Sequence, residues 1–221
     1  MTEALCFDMY GTLCDTSSVT ATLREELDLP AQVVDEVDAL WRQKQLQYSF
    51  QLGQMDTYRT FWEATDEALD YVLDFYGVEP GDASRERILD AYNHLDPFAD
   101  TLDALERLDE EYTLAVLSNG NPEMLETLAA NTGIDEHVEY IVSADEVGTF
   151  KPAPVVYENA AERVGEDLGD TALVSSNAWD IAGASQAGMG AFWVNRKNEP
   201  MERVGGDPDV EVDSLLELAN V

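Results

Sequence analysis

The sequence predicts an α/β protein, a parallel sheet with crossover helices that takes an all-helical insertion after its first strand. Three observations carry that prediction. The chain begins with a short apolar run, Leu5-Cys6-Phe7, that ends in Asp8 and a glycine turn. The segment 16–95 then shows helical periodicity alone. From Pro97 onward, helical patterns alternate with the short apolar runs Leu114-Ala115-Val116-Leu117, Tyr140-Ile141-Val142, Ala172-Leu173-Val174 and Phe192-Trp193-Val194. Runs of that kind suit strands buried on both faces.

Taken in order, the first strand delivers Asp8 into the turn Tyr10-Gly11-Thr12. On these residues alone, Asp8 either begins a turn or aims a carboxylate into the crevice at the strand ends, where open α/β sheets bind ligands. Four helices are expected in the insertion. They are Val19 to Leu29, a stripe of Val37, Leu40, Trp41, Lys44, Tyr48 and Leu52, a cleaner stripe from Tyr58 to Tyr76 stopped by Gly77, and Arg85 to Leu95. Aromatic residues at helical spacing read first as core. Beyond Pro97 the helices expected are Phe98 to Leu108, Pro122 to Asn131, Ala153 to Val164 and Asp180 to Gly188, and the chain closes with Val210-Glu211-Val212 and a short helix. A discontinuous core, 1–15 with 96–221, would thus carry the helical unit 16–95 as a lid over its strand ends.

Composition bounds the partners. Of 221 residues, 45% are hydrophobic, enough for a folded core, while 12 Lys and Arg face 46 Asp and Glu for a net charge of −34. The acids interrupt periodic patterns and form no tail, so they are expected to make a solvated shell that repels itself in dilute buffer and is screened by molar salt. The expected home is a halophilic, salt-accumulating cytoplasm, with nucleic acid and anionic membranes excluded as partners. No apolar run is long enough to span a membrane and no basic, apolar leader is present, so a soluble protein is expected. Cys6 and Cys14 are simplest as small buried hydrophobes in a reducing compartment, with a bridge between them left open.

Polar residues end three of the expected strands: Asp8, Ser118-Asn119-Gly120 and Ser175-Ser176-Asn177. Each alone is an ordinary turn or helix cap; three on one edge of one parallel sheet favour a site. Lys151, one of only three lysines, follows a loop containing Gly148, and Pro152 in a first helical turn would leave it just outside. Its expected role is to neutralise a carboxylate. Asp180 opens the next helix, where capping and general-base roles both fit. His94 and His137 read as surface residues.

The motifs Phe7-Asp8-x-Tyr10-Gly11-Thr12-Leu13, Leu117-Ser118-Asn119-Gly120, Lys151-Pro152 and Ser175-Ser176-Asn177-Ala178-Trp179-Asp180 occur in that order around a helical insertion. Together they resemble the haloacid dehalogenase superfamily, and more narrowly its L-2-haloacid dehalogenases, as does Leu40-Trp41-Arg42-Gln43-Lys44-Gln45-Leu46. The resemblance spans almost the whole chain and implies a Rossmann-like core with a four-helix cap. One departure from the superfamily's phosphatases is informative. They carry a second aspartate two residues after the nucleophile, and here that place is Tyr10. With Ser175 and Asn177 near the last motif, the oxygen shell for a hard cation is thin, so no metal or other cofactor is expected.

What the resemblance implies is hydrolysis of a short L-2-haloalkanoate to a D-2-hydroxy acid. Asp8 attacks the halogen-bearing carbon, and water then cleaves the aspartyl ester. Lys151 and Asp180 serve the nucleophile and the water, with Ser175, Asn177 and Tyr157 in support. Thr12 and Ser118 hold the nucleophile and the substrate carboxylate. Arg42 and Asn119 cradle the halide, and Tyr10, Leu46, Phe61 and Trp179 line the pocket. Homodimers are common in that family. The alternatives are a Mg²⁺-dependent small-molecule phosphatase and a binding protein that keeps the fold.

Overall fold

The computed structural model describes residues 2–219. In chain order they form β1 (Ala4–Phe7), β2 (Cys14–Asp15), α1 (Ser17–Glu26), α2 (Ala31–Gln54), α3 (Phe61–Tyr76), α4 (Asp82–Asp90) and β3 (Asp96–Pro97). There follow α5 (Thr101–Leu108), β4 (Thr113–Ser118), α6 (Pro122–Thr132), β5 (Tyr140–Ser143) and α7 (Pro154–Val164). The last elements are β6 (Thr171–Ser175), α8 (Ala178–Ala187), β7 (Gly190–Val194), β8 (Val210–Val212) and α9 (Leu215–Leu218).

Six strands make one sheet in the order β5-β4-β1-β6-β7-β8, and every adjacent pair is parallel. β1 lies inside it and is buried on both faces, which is why it reads as an unbroken apolar run. Leu5 and Phe7 join the core on one side, Ala4 and Cys6 the core on the other. From β1 the chain builds outward through β4 and β5, then crosses to β6 on the opposite flank. That reversal opens a crevice at the carboxyl ends of β1, β4 and β6.

The helical insertion packs on itself and on that crevice. Trp41, fully buried, donates its indole N–H to the carbonyl of Thr65 at 2.9 Å and meets Tyr92 edge-on at 5.3 Å, so this part of the aromatic stripe is core. A capping box between Thr60 and Glu63 starts α3, and Gly77, at φ +64°, ends it. The chain leaves and rejoins the sheet side by side: β2 and β3 pair antiparallel, Cys14 with Pro97 and Asp15 with Asp96.

Several boundaries differ from the sequence reading. Tyr58 precedes α3, because Thr60 caps the helix, and its hydroxyl donates to Asp145. Phe98 likewise precedes α5. The fourth helix ends at Asp90 and tightens into a 3₁₀ turn, Ala91–Asn93, so it does not run to Leu95. The proline in the first turn of α7 is Pro154, while Pro152 stands before it behind a cis bond from Lys151. Cys6 and Cys14 are both free and buried, in cores on opposite sides of the sheet. No helix among the described residues is long and apolar enough to cross a membrane.

Candidate active site

Asp8 follows β1 directly, and its own N–H is held by the carbonyl of Val174 on β6 at 2.9 Å. Gly11, at φ +83°, turns the chain back so that Thr12 faces the carboxylate. Asp8 Oδ1 accepts from Lys151 Nζ at 2.8 Å. Asp8 Oδ2 accepts from Asn177 Nδ2 at 2.7 Å and Thr12 Oγ1 at 3.2 Å, with Ser175 Oγ at 3.5 Å. Thr12 Oγ1 in turn accepts the N–H of Ser176 at 2.8 Å, which fixes the β1 turn to the end of β6. The buried carboxylate is thereby aimed by four donors from three separate motifs.

Lys151 is the centre of the buried charge. Its ammonium has three protons and three acceptors: Asp8 at 2.8 Å, Asp180 Oδ2 at 2.6 Å and the carbonyl of Leu117 at 3.0 Å. Burial alone would lower its pKa, but the two carboxylates outweigh burial and raise it above an ordinary lysine. Asp180, fully buried, is pushed up by desolvation despite the lysine beside it. Its Oδ1 accepts from Tyr157 at 2.7 Å, and desolvation first, then Asp180, raise that phenol well above its usual range. Tyr157 remains neutral and acts as a donor. Asn119 Oδ1 accepts the Lys151 N–H at 2.7 Å, which leaves the amide nitrogen as its other end.

A cavity of about 680 Å³ lies between the strand ends and the insertion. The core side supplies Asp8, Tyr10, Ser118, Asn119, Lys151, Asn177 and Trp179, and the insertion supplies Arg42, Leu46 and Phe61. Tyr10 stacks on Phe61 at 6.1 Å, and Phe50 of α2 meets Trp179 at 5.3 Å, so aromatic contacts close the two parts over Asp8. Thr12, Tyr157, Ser175 and Asp180 lie beneath the cavity and do not line it.

The donor set does not fit Mg²⁺. The two buried carboxylates are already bridged by Lys151, and the remaining Asp8 oxygen is met by hydrogen-bond donors. Among the described residues no three His, Cys, Asp or Glu side chains converge as a cation site.

Residues 2–188 match the family described as haloacid dehalogenase-like hydrolase. The chain belongs to the haloacid dehalogenase-like hydrolases. Within that family it is 37% identical to (S)-2-haloacid dehalogenase 4A of Burkholderia cepacia, over 98% of this chain and 93% of the relative. It is 38% identical to (S)-2-haloacid dehalogenase 1 of Pseudomonas sp. (strain CBS-3), over 98% of this chain and 94% of that one. Its fold superposes with a TM-score of 0.91 on the L-2-haloacid dehalogenase of Xanthobacter autotrophicus with chloropropionic acid covalently bound. That pair is 33% identical and covers 100% of this chain and 98% of the other.

Some site residues of this haloacid dehalogenase-like hydrolase escape a reading from motifs. Asp38 lines the cavity and pairs with Arg42, and the only sequence signal for it is the four-residue spacing on a helix. Arg196, from the loop after β7, donates to the carbonyl of Thr12 at 3.2 Å and to Asp100 at 2.8 Å, and lies 4.3 Å over the Phe98 ring. It braces the turn that follows Asp8 and also lines the cavity, and nothing in an arginine beyond the last apolar run announces that.

Proposed function

We propose that the chain hydrolyses short L-2-haloalkanoates to D-2-hydroxy acids without a metal, Asp8 being the nucleophile. The observation that carries the reading is the Asp8 carboxylate, held by Lys151, Asn177 and Thr12 at the floor of a cavity where Tyr10 stands in place of a second acid. A departing halide is a stable anion and needs no proton, so a tyrosine there costs this chemistry nothing.

In the first step an Asp8 oxygen forms a bond to C2 while the carbon–halogen bond breaks, its electron pair leaving with the halide. Attack from the opposite side inverts C2. In the second step a water oxygen bonds to the Asp8 carboxyl carbon and the ester C–O bond breaks on the enzyme side. One proton of the water passes to Asp180 and on to the departing alkoxide oxygen, so the hydroxy acid leaves with an oxygen that belonged to Asp8, and the second proton is released to solvent as Asp8 returns to its carboxylate. Arg42 and Asn119 receive the halide, Ser118 and nearby backbone N–H groups hold the substrate carboxylate, and Tyr10, Leu46, Phe61 and Trp179 enclose the alkyl group. Ser175 and Tyr157 act from below, on Asp8 and Asp180. Residues 16–95 serve as the cap of a core made from 1–15 and 96–221, a division supported by the β2–β3 pairing where the chain leaves and returns.

The test is halide release from L- and D-2-chloropropionate in high KCl with a chelator, with Asp8→Asn alongside. The L isomer alone is expected to react, and Asp8→Asn to be inactive. Release that needs Mg²⁺, or that survives Asp8→Asn, overturns the reading.

Two further features belong to the same proposal. The net charge of −34 suits a high-salt cytoplasm, where salt screens both self-repulsion and repulsion of the anionic substrate. The exposed aromatic rings of Tyr71 and Phe75 on α3 support pairing of two copies.

A further inference from the structure

Asp38 stands one helical turn before Arg42 on α2, and the two side chains form an ion pair. Asp38 Oδ1 accepts from Arg42 Nε at 3.0 Å and Oδ2 from Nη2 at 2.8 Å, so one whole edge of the guanidinium faces this carboxylate. Nη2 also donates to the carbonyl of Thr16, and Asp38 Oδ2 accepts in addition from Thr20 Oγ1 at 2.7 Å. Asp38 is buried, and Thr16, Thr20, Asp38 and Arg42 all border the cavity. Among the described residues, Arg42 Nη1 has no hydrogen-bond partner and is the corner left for a ligand.

We propose that Asp38 is a positioning residue that limits Arg42 to a one-cornered donor for a monatomic anion and keeps its affinity for free halide low. The proposal rests on Arg42 as the halide donor. Two consequences follow from the geometry. The strong mode of arginine toward a carboxylate uses two parallel N–H groups, and the Nε/Nη2 edge that would supply them is taken. The substrate carboxylate is therefore directed toward Ser118 and the halogen toward Arg42. The charge of Asp38 also opposes any anion at Nη1, so a departing halide is stabilised as it forms but not retained. In molar chloride, a tighter site would stay filled and block the reaction.

Asp38→Asn keeps the shape and removes the charge. With a halide roughly 7 Å from that charge at an effective dielectric of about 20, its removal tightens halide binding by about 50-fold. Chloride binding is read directly from ³⁵Cl NMR line broadening at fixed ionic strength, in wild type, Asp38→Asn, Asp38→Ser and Arg42→Ala. In parallel, chloride inhibition of lactate formation from L-2-bromopropionate is measured. Expected is broadening that vanishes in Arg42→Ala, and in both Asp38 variants a chloride dissociation constant and inhibition constant lowered by about the same factor. A purely structural Asp38 would shift stability and leave chloride affinity alone. Affinity unchanged or weakened in both Asp38 variants, broadening that survives Arg42→Ala, or no Arg42-dependent binding in any of the proteins would overturn the proposal. The NMR measurement needs no turnover, so chloride bound at Arg42 without any dehalogenation would instead count against the reaction assigned above.

Discussion

Replacing Lys151 by Met keeps most of the side-chain volume and removes the one cation shared by Asp8 and Asp180. Both carboxylates sit at 6% side-chain exposure or less, 2.6–2.8 Å from the ammonium, so neither can turn to solvent for compensation. Breaking a buried pair by deleting one partner costs about 3–5 kcal/mol. Here one carboxylate can take up a proton, which places the expected loss near the lower end, about 3 kcal/mol. For a chain of this length each kcal/mol moves Tm by about 2–4 °C, so a fall of about 6–12 °C is expected by calorimetry in high KCl. Halide release should fall by about 10³-fold, because Asp8 loses the ammonium that orients its carboxylate. The double variant Lys151→Met with Asp180→Asn removes the stranded charge and should recover much of the Tm while remaining inactive. A single variant within about 2 °C of wild type, or one that still turns over near the wild-type rate, would refute the placement of Lys151 at the centre of the site.

Four other outcomes follow from the same structure. A Cβ on Gly183 would strike Pro152 and come within 2.5 Å of Tyr157 Oη, so Gly183→Ala should lower stability by about 1–3 kcal/mol and reduce kcat by displacing Tyr157 from Asp180, read by thermal melts beside steady-state rates. Lys151 titrates above an ordinary lysine, so its stabilisation is complete below the usual value of about 10.4 and is lost only as pH rises through the higher folded value; the alkaline limb of the rate profile should lie above that point. Asp180 is raised by burial, so its contribution to stability is full below about pH 3.9 and declines as pH rises through its folded value, whereas turnover needs it ionised. Activity should therefore be lost on the acid side at a pH above about 3.9, before Tm drops. Finally, Tm and turnover should both rise with KCl, and equal activity in dilute buffer with the fold intact would remove the case for a high-salt protein.

The core of this molecule was legible because its strands are buried on both faces and so appear as unbroken apolar runs, each ending in a polar residue that has no use in a core. Asp8, Ser118 and Ser175 stand at three such ends, and the sheet order brings them to one edge. Lys151 was legible because lysine is rare in this chain. What escaped lacks a local signal. β2 and β3 are two residues each and exist only because the chain crosses the same place twice. Tyr58 and Phe98 continue the apolar spacing of the helices they precede, so periodicity draws them in, while the cap at Thr60 excludes Tyr58. Asp38 is one acid among 46 Asp and Glu, and only its distance to Arg42 separates it from the solvated shell.

The central claim is that Asp8 itself, and not an activated water, attacks the substrate carbon. A single turnover in H₂¹⁸O with enzyme in excess over L-2-chloropropionate decides it, with mass spectrometry of the lactate and of the peptide that contains Asp8. Attack by Asp8 predicts lactate free of label and ¹⁸O in the Asp8 carboxylate. Label in the lactate of that first turnover, with Asp8 unlabelled, would contradict it.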